Sequence, residues 1–317
     1  MAQQKRLVFM GTPDFARIIL EHVLEWSGGK VVAVYTQPDR PHGRGRKLKA
    51  SPVKLLARKK KLPLLQPADF KSNHRIDELA GFRPDYLLVA AYGLILPEKV
   101  LSIPSKMPIN VHASLLPRYR GAAPIQRALT NGEAVTGISI MLMTRGLDSG
   151  PVILQRAMQV DMSDTADKLH DDLAHMGAEL LVEALEGLEN ETLEPVSQDE
   201  TQATYAPRLT KQEGLINWNQ PAEKIHNLIR GFFSWPGSYF EWIDPGGRQI
   251  RLQVFPGKVG PDKPAGIPAG TVMGTKDGFL QIACKDKLYL VPRVKPGSSR
   301  EMDARSFECG FLSKCVE

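Results

Sequence analysis

Leu7-Val8-Phe9-Met10-Gly11-Thr12-Pro13-Asp14-Phe15 is the stretch that decides the fold class. A short apolar run is closed by a glycine, a proline follows at a place suited to the first turn of a helix, and residues 15–24 carry apolar side chains at helical spacing. That is a strand-turn-helix unit. Further short runs rich in Val, Ile and Leu occur at residues 31–35, 86–91, 109–111 and 138–143, separated by segments long enough for helical crossovers. The expected fold is α/β, with a Rossmann-like, doubly wound, mostly parallel sheet. Ligands of such sheets bind outside the carboxyl ends of the strands, where Gly11, Asn110, His112 and Asp148 would all fall.

The chain has 317 residues, of which 42% are hydrophobic, enough for two domains each with a buried core. No apolar run approaches the roughly 20 residues that span a bilayer, and Met1-Ala2-Gln3-Gln4-Lys5-Arg6 has no signal-peptide pattern. A soluble cytoplasmic protein with no membrane partner is expected. Cys284, Cys309 and Cys315 lack metal-site spacing and an even count, so they are expected to be reduced, and no metal is expected. The first turn also excludes a dinucleotide fingerprint. Close approach to a pyrophosphate needs three spaced glycines, whereas Gly11-Thr12-Pro13-Asp14-Phe15-Ala16 has one and an acid nearby.

Chemistry concentrates in Ile109-Asn110-Val111-His112-Ala113-Ser114-Leu115-Leu116-Pro117-Arg118-Tyr119-Arg120-Gly121. Asn110 and His112 are two apart at the end of an apolar run, so on a strand they share a face. An amide and an imidazole side by side suit acyl transfer, where one N–H holds a developing oxyanion and the imidazole donates to it or moves a proton. Asp148, in Thr144-Arg145-Gly146-Leu147-Asp148-Ser149-Gly150, is a carboxylate able to orient or charge the histidine. Each residue alone also has a plain reading: a strand-end histidine is commonly structural and an Asp between glycines is commonly a turn former. Taken together with the SLLPRYRG loop, this set resembles the 10-formyltetrahydrofolate-dependent formyltransferase family. The resemblance implies that Asn110, His112 and Asp148 are the catalytic set, and that GTPDF is an architectural opening.

Residues 40–61 contain ten lysines and arginines and no acid, while the rest of residues 1–207 has a net charge of −9. Such a concentration attracts a polyanion, and Gly43 and Gly45 leave the segment able to order on contact. The plain alternative is a solvated face, above all for Arg58-Lys59-Lys60-Lys61 on a helix. Gln37-Pro38-Asp39-Arg40-Pro41-His42-Gly43-Arg44-Gly45-Arg46-Lys47 is similar to the insertion that marks methionyl-tRNA formyltransferases within the family. That likeness implies initiator methionyl-tRNA as partner, contacted by Arg40, Arg44, Arg46 and Lys47.

Ala90-Ala91-Tyr92-Gly93-Leu94-Ile95-Leu96-Pro97 is an uncharged turn with two readings, closure of the core or a flat pocket for a pterin ring. The resemblance implies a folate site at Ala90, Tyr92, Gly93, Leu94 and Ile95 together with Ser114, Leu115, Leu116 and Pro117. Arg118 and Arg120 flank it, and either one suits the glutamate tail of a folate or a terminal phosphate.

A helical pattern from residue 163 to 189 has Leu169, Leu173, Met176, Leu180, Leu181 and Leu185 on one stripe. Residues 1–189 are therefore expected to form a catalytic domain with the basic loop 37–49, and the polar stretch 190–207 a linker. Residues 208–317 are expected to form a small β-barrel: an amphipathic helix at 222–232 precedes short strands with turns such as Asp277-Gly278. The family resemblance extends through Arg230-Gly231-Phe232-Phe233-Ser234-Trp235-Pro236-Gly237 and implies an oligonucleotide-binding-like, tRNA-supporting barrel. The Asn-Pro that the family more often shows before the tryptophan is missing here.

The expected activity is transfer of the formyl group of 10-formyltetrahydrofolate, a cosubstrate, to the free α-amine of methionyl-tRNA by a monomer. Asn110 and a protonated His112 would hold the oxyanion while Asp148 charges the histidine and helps move protons. Three rivals compete with that reading, of which a nucleotide-dependent oxidoreductase would need the glycines that the first turn lacks. A formyltransferase for a small amine, such as an amino sugar nucleotide, would share the catalytic set but not need the basic loop; a non-catalytic RNA-binding protein would leave that set unexplained.

Overall fold

A computed structural model describes residues 4–42, 47–297 and 299–312. The chain folds into two compact units. The first comprises Met1–Gly121, Thr136–Met158 and His170–Tyr205; the second comprises Ala122–Val135, Gln159–Leu169 and Ala206–Glu317.

A seven-stranded sheet organises the first unit. Its strands are β1 (Lys5–Gly11), β2 (Gly29–Tyr35), β3 (Leu64–Leu65), β4 (Tyr86–Ala90), β5 (Met107–His112), β6 (Val135–Leu142) and β7 (Val152–Gln159). They lie in the order β7-β6-β5-β4-β1-β2-β3. β5, β4, β1, β2 and β3 run parallel, and β6 pairs with β5 antiparallel. Leu7, Val8, Phe9 and Met10 are all fully buried, as expected for a central parallel strand covered on both faces. β3 and β7 escape the sequence reading for definable reasons. β3 is only two residues long, and β7 alternates buried or half-buried with exposed positions, so it lacks a continuous apolar run.

The turn after β1 is built on its glycine. Helix α1 (Asp14–Val23) turns Phe15, Ala16, Ile19, Leu20 and Val23 inward. A Cβ on Gly11 would stand 2.5 Å from the Ala16 Cβ and 2.9 Å from the Ala90 carbonyl oxygen. Gly11 therefore lets the helix close against two strands, in keeping with an architectural role for GTPDF. The chain moves outward from β1 through β2 to β3 and then restarts on the other side with β4 and β5, so the sheet changes direction between Gly11 and Ala90, which are paired in register. Crevices for ligands form at such switch points.

The second unit contains two antiparallel four-stranded sheets. Phe240, Leu252 and Val254 from one sheet and Leu280, Ile282, Tyr289 and Val291 from the other share a single apolar core with Ile225 and Ile229 of helix Ala222–Gly231, a barrel-like arrangement. Asp277 and Gly278 both have positive φ (52° and 80°), the conformation demanded by a tight hairpin between paired strands. Cys284 is buried in this core, which pushes its thiol up to about 12, whereas Cys309 is exposed and Cys315 lies outside the described residues. No helix among the described residues is long and apolar enough to cross a membrane.

Candidate active site

Asn110 and His112 end β5. Asn110 pairs with Val89 of β4 and Met141 of β6, while His112 pairs with Ser139 of β6. Their spacing of two puts both side chains on one face of the sheet. The Asn110 amide is half-buried and makes no hydrogen bond among the described residues. His112 is buried, and its Nε2 lies 3.0 Å from the Tyr119 carbonyl oxygen. A carbonyl only accepts, so Nε2 carries the hydrogen and the other ring nitrogen is left for chemistry. That nitrogen, Nδ1, is 3.7 Å from Asp148 Oδ2.

Asp148 reaches this position through an unusual loop. Its φ is +48°, in the left-handed region that asparagine and aspartate tolerate better than most residues. Nearby Gly150 has no room for a side chain, since a Cβ there would be 1.8 Å from the Leu142 carbonyl oxygen. Asp148 Oδ2 accepts a hydrogen bond from the Gly121 N–H at 2.8 Å. From the polar segment expected to be a linker, Gln198 donates through Nε2 to the carbonyls of Asp148 (2.9 Å) and Gly150 (2.7 Å). Its Oε1 accepts from Arg120 Nε at 3.1 Å and Nη2 at 2.8 Å.

Arg120 is thereby removed from the list of candidate ligand contacts. Its side chain is only 2% exposed, and its Nη1 and Nη2 each bond one oxygen of Glu200 at 2.8 Å. That pairing holds the Glu200 carboxyl below its ordinary range. Arg118, by contrast, is exposed, with its guanidinium 5.4 Å from the centre of the Tyr119 ring.

The two segments assigned to folate by resemblance follow the carboxyl ends of neighbouring strands, β4 and β5. Ile95 is 95% exposed, Leu94 is half-buried, and Gly93, exposed with φ +85°, has only the Gln37 side chain beside it, 3.9 Å from where a Cβ would stand. This uncharged, partly open apolar surface suits the flat face of a pterin. Ala90 is buried, and Tyr92 turns its ring into the core beside Tyr35 and Val89, so only its backbone faces outward chemistry; its carbonyl accepts from Thr12 Oγ1 at 2.9 Å. In the second segment Ser114 is buried and donates to the Arg118 carbonyl at 2.6 Å. Leu116 is buried, and Leu115 and Pro117 are half-buried.

Ser139 and Gln155 brace that loop and were not singled out from sequence. Ser139 Oγ donates to the Ser114 carbonyl (2.6 Å) and accepts from the Leu116 N–H (3.0 Å) and Gln155 Nε2 (2.7 Å). Gln155 also donates to the Leu116 carbonyl at 2.9 Å. One serine inside an apolar β6 run, Ile138-Ser139-Ile140, is the faint signal that sequence offers, because a buried hydroxyl needs partners.

In the basic segment, strands Arg40–His42 and Lys47–Lys49 pair as a two-stranded antiparallel ribbon. Arg40 is exposed and bonds Gln37 Oε1 at 2.9 Å. Lys54, one of the ten basic residues, is buried against Asp39 at 2.6 Å, which keeps the Asp39 carboxyl below its usual range. It belongs to the fold, not to a surface field. Arg44 and Arg46 lie outside the described residues, as does the side chain of Lys47.

An amide and an imidazole at the carboxyl end of a parallel strand, with a carboxylate brought to the imidazole by the loop that follows the antiparallel β6, are groups of the kind that acyl transfer can use. Residues 5–185 match the formyl transferase family and residues 208–312 match the formyl transferase C-terminal domain. A protein named methionyl-tRNA formyltransferase from Nitratidesulfovibrio vulgaris (strain DP4) is 48% identical over 98% of this chain and 94% of its own. One of the same name from Trichlorobacter lovleyi is 42% identical over 96% of this chain and 94% of its own. The chain therefore belongs to the formyl transferase family, on the branch of the methionyl-tRNA formyltransferases.

Solved structures agree on the fold. An N-formyltransferase from Helicobacter canadensis, in complex with folinic acid and dTDP-3-aminofucose, superposes with a TM-score of 0.66 at 17% identity, covering 95% of this chain and all of that one. HypX from Aquifex aeolicus, in complex with tetrahydrofolic acid, superposes with a TM-score of 0.63 at 13% identity over 96% of this chain. This chain spans about half the length of that protein, 47%.

Proposed function

We propose that this chain transfers the formyl group of 10-formyltetrahydrofolate to the free α-amine of initiator methionyl-tRNA. The observation that carries the chemistry is the approach of His112 Nδ1 to Asp148 Oδ2 beside the unengaged Asn110 amide. The choice of acceptor rests on the name shared by relatives that match almost the whole chain.

In this reading the acceptor amine adds to the formyl carbon, and the bond from that carbon to the donor nitrogen then breaks. Asn110 Nδ2–H donates to the oxygen as it gains charge. The Nε2–H of His112 is occupied by the Tyr119 carbonyl, so Nδ1 takes the proton that the amine releases and the Asp148 carboxylate stabilises the imidazolium. This makes His112 a proton carrier where the sequence suggested an oxyanion donor. The proton then passes to the departing nitrogen, and no charge is left stranded. Ala90, Tyr92 through its backbone, Gly93, Leu94, Ile95, Ser114, Leu115, Leu116 and Pro117 would hold the folate. Arg40, Arg44, Arg46 and Lys47 would meet the tRNA, with residues 1–189 as the catalytic domain and 208–317 supporting the RNA. The protein acts as a cytoplasmic monomer in this reading, and no step in it calls for a metal.

The deciding experiment offers radiolabelled formyl donor with methionyl-tRNA, free methionine and an amino sugar nucleotide in parallel. Label on the tRNA alone is expected. Label on a small amine keeps the chemistry and overturns the acceptor, and no label on any of them overturns the catalytic reading.

A further inference from the structure

Gln198 lies 50 residues from Asp148 in sequence, yet every hydrogen-bonding position of its amide is committed between Arg120 and the Asp148 loop. Both Nε2 hydrogens go to carbonyls, those of Asp148 and Gly150, and both accepting positions of Oε1 go to Arg120 Nε and Nη2. The amide has one orientation only: flipped, it would set N–H against guanidinium and oxygen against two carbonyls. Arg120 is itself fixed, being buried and held by both carboxylate oxygens of Glu200. The next residue, Gly121, gives its N–H to the Asp148 carboxylate. Asp148 is thus held at its backbone through Arg120 and Gln198 and at its side chain by Gly121, in a backbone conformation that non-glycine residues seldom adopt.

We infer that Gln198, anchored by Arg120, is a positioning residue for Asp148 that sets the approach of the carboxylate to His112. This inference rests on the catalytic reading of Asp148 given above. Without the Gln198 donors, two carbonyls lose their partners and the loop relaxes away from its strained conformation. The carboxylate then moves relative to the imidazole, and displacements of about 1 Å at a reacting centre cost up to ~10²-fold in rate.

The test uses the full-length enzyme in steady-state formyl transfer to methionyl-tRNA, with four proteins: wild type, Gln198→Glu, Asp148→Asn and the double variant. Gln198→Glu keeps the size of the side chain and an acceptor for Arg120, but replaces the two donors with oxygen facing two carbonyls. It should lower kcat by about 10- to 100-fold, with KM for both substrates within about twofold and the protein still folded at the assay temperature. Because Gln198 works through Asp148, adding the substitution to Asp148→Asn should cost nothing further. A general structural role would instead lower activity in both backgrounds. Should Gln198→Glu prove unstable, Gln198→Ala assayed below its melting temperature in the same cycle reads the same coupling. An impaired Asp148→Asn beside a fully active Gln198→Glu, or losses that multiply in the double variant, would overturn the positioning role alone. A fully active Asp148→Asn would overturn the reading of Asp148 beneath it.

Discussion

Glu189 ends the long helix Ala166–Glu189, at the opposite end of the sheet from the candidate active site. Its Oε1 accepts from Tyr86 Oη and Lys106 Nζ, each at 2.6 Å, and its Oε2 meets Lys5 Nζ at 2.9 Å. Lys5 and Tyr86 begin β1 and β4, and Lys106 directly precedes β5, so one carboxylate ties a helix to three strand starts. Burial alone would raise its pKa, but the bonds from Lys106, Tyr86 and Lys5 outweigh that and bring it to about 2 from an ordinary 4.5. A carboxyl depressed in the folded state contributes stability above its unfolded pKa and loses it as the pH falls through the folded one. The window here runs from about 4.5 down to about 2.

At about 1.4 kcal/mol per tenfold change in proton affinity, the full shift would correspond to roughly 3 kcal/mol. Lys5 and Lys106 are 29% and 36% exposed, so solvent screening reduces this to about 1–2 kcal/mol. Glu189→Gln should lower the urea midpoint at pH 7, and its gap to wild type should shrink between pH 4.5 and 2. Formyl transfer at pH 7 should be unchanged, because the site lies at the other end of the strands. Equal midpoints at pH 7, or a gap that persists undiminished at the acid end, would refute the electrostatic account.

Other consequences are separable. Gly11→Ala should destabilise the protein by about 1–3 kcal/mol, since its Cβ meets both a methyl and a backbone oxygen; an unaltered thermal midpoint would contradict the close packing. Asn110→Ala should reduce kcat on the order of 10²–10³-fold with unchanged circular dichroism, and normal turnover would remove Asn110 from the mechanism. Neutralising Arg40, Arg44 and Lys47 together should weaken tRNA binding and flatten its dependence on salt, because each lost phosphate contact releases one counterion fewer. Binding unchanged across a salt titration would assign the ribbon another role.

The sequence by itself determined whatever depends on neighbours along the chain. A glycine between an apolar run and a helical pattern specified the turn after β1, two-residue spacing put Asn110 and His112 on one face, and Asp277-Gly278 marked a hairpin. Each signal spans only a few residues, since strand and helix periods are local properties of the backbone. The motifs in residues 109–121 and 144–150 were legible for the same reason.

Tertiary structure decided which polar groups have partners. Arg120 and Arg118 are alike in sequence, yet one is buried against Glu200 and Gln198 and the other is exposed. Lys54 sits in a basic run but is buried against Asp39. Gln198 lies in a stretch polar enough to pass for a linker, and it acquires its role only when folding brings Arg120 and Asp148 to it. A charged or amide side chain has the same local signature whether water or a distant residue satisfies it. Burial distinguishes the two cases, because a polar group removed from water must find its hydrogen bonds within the protein.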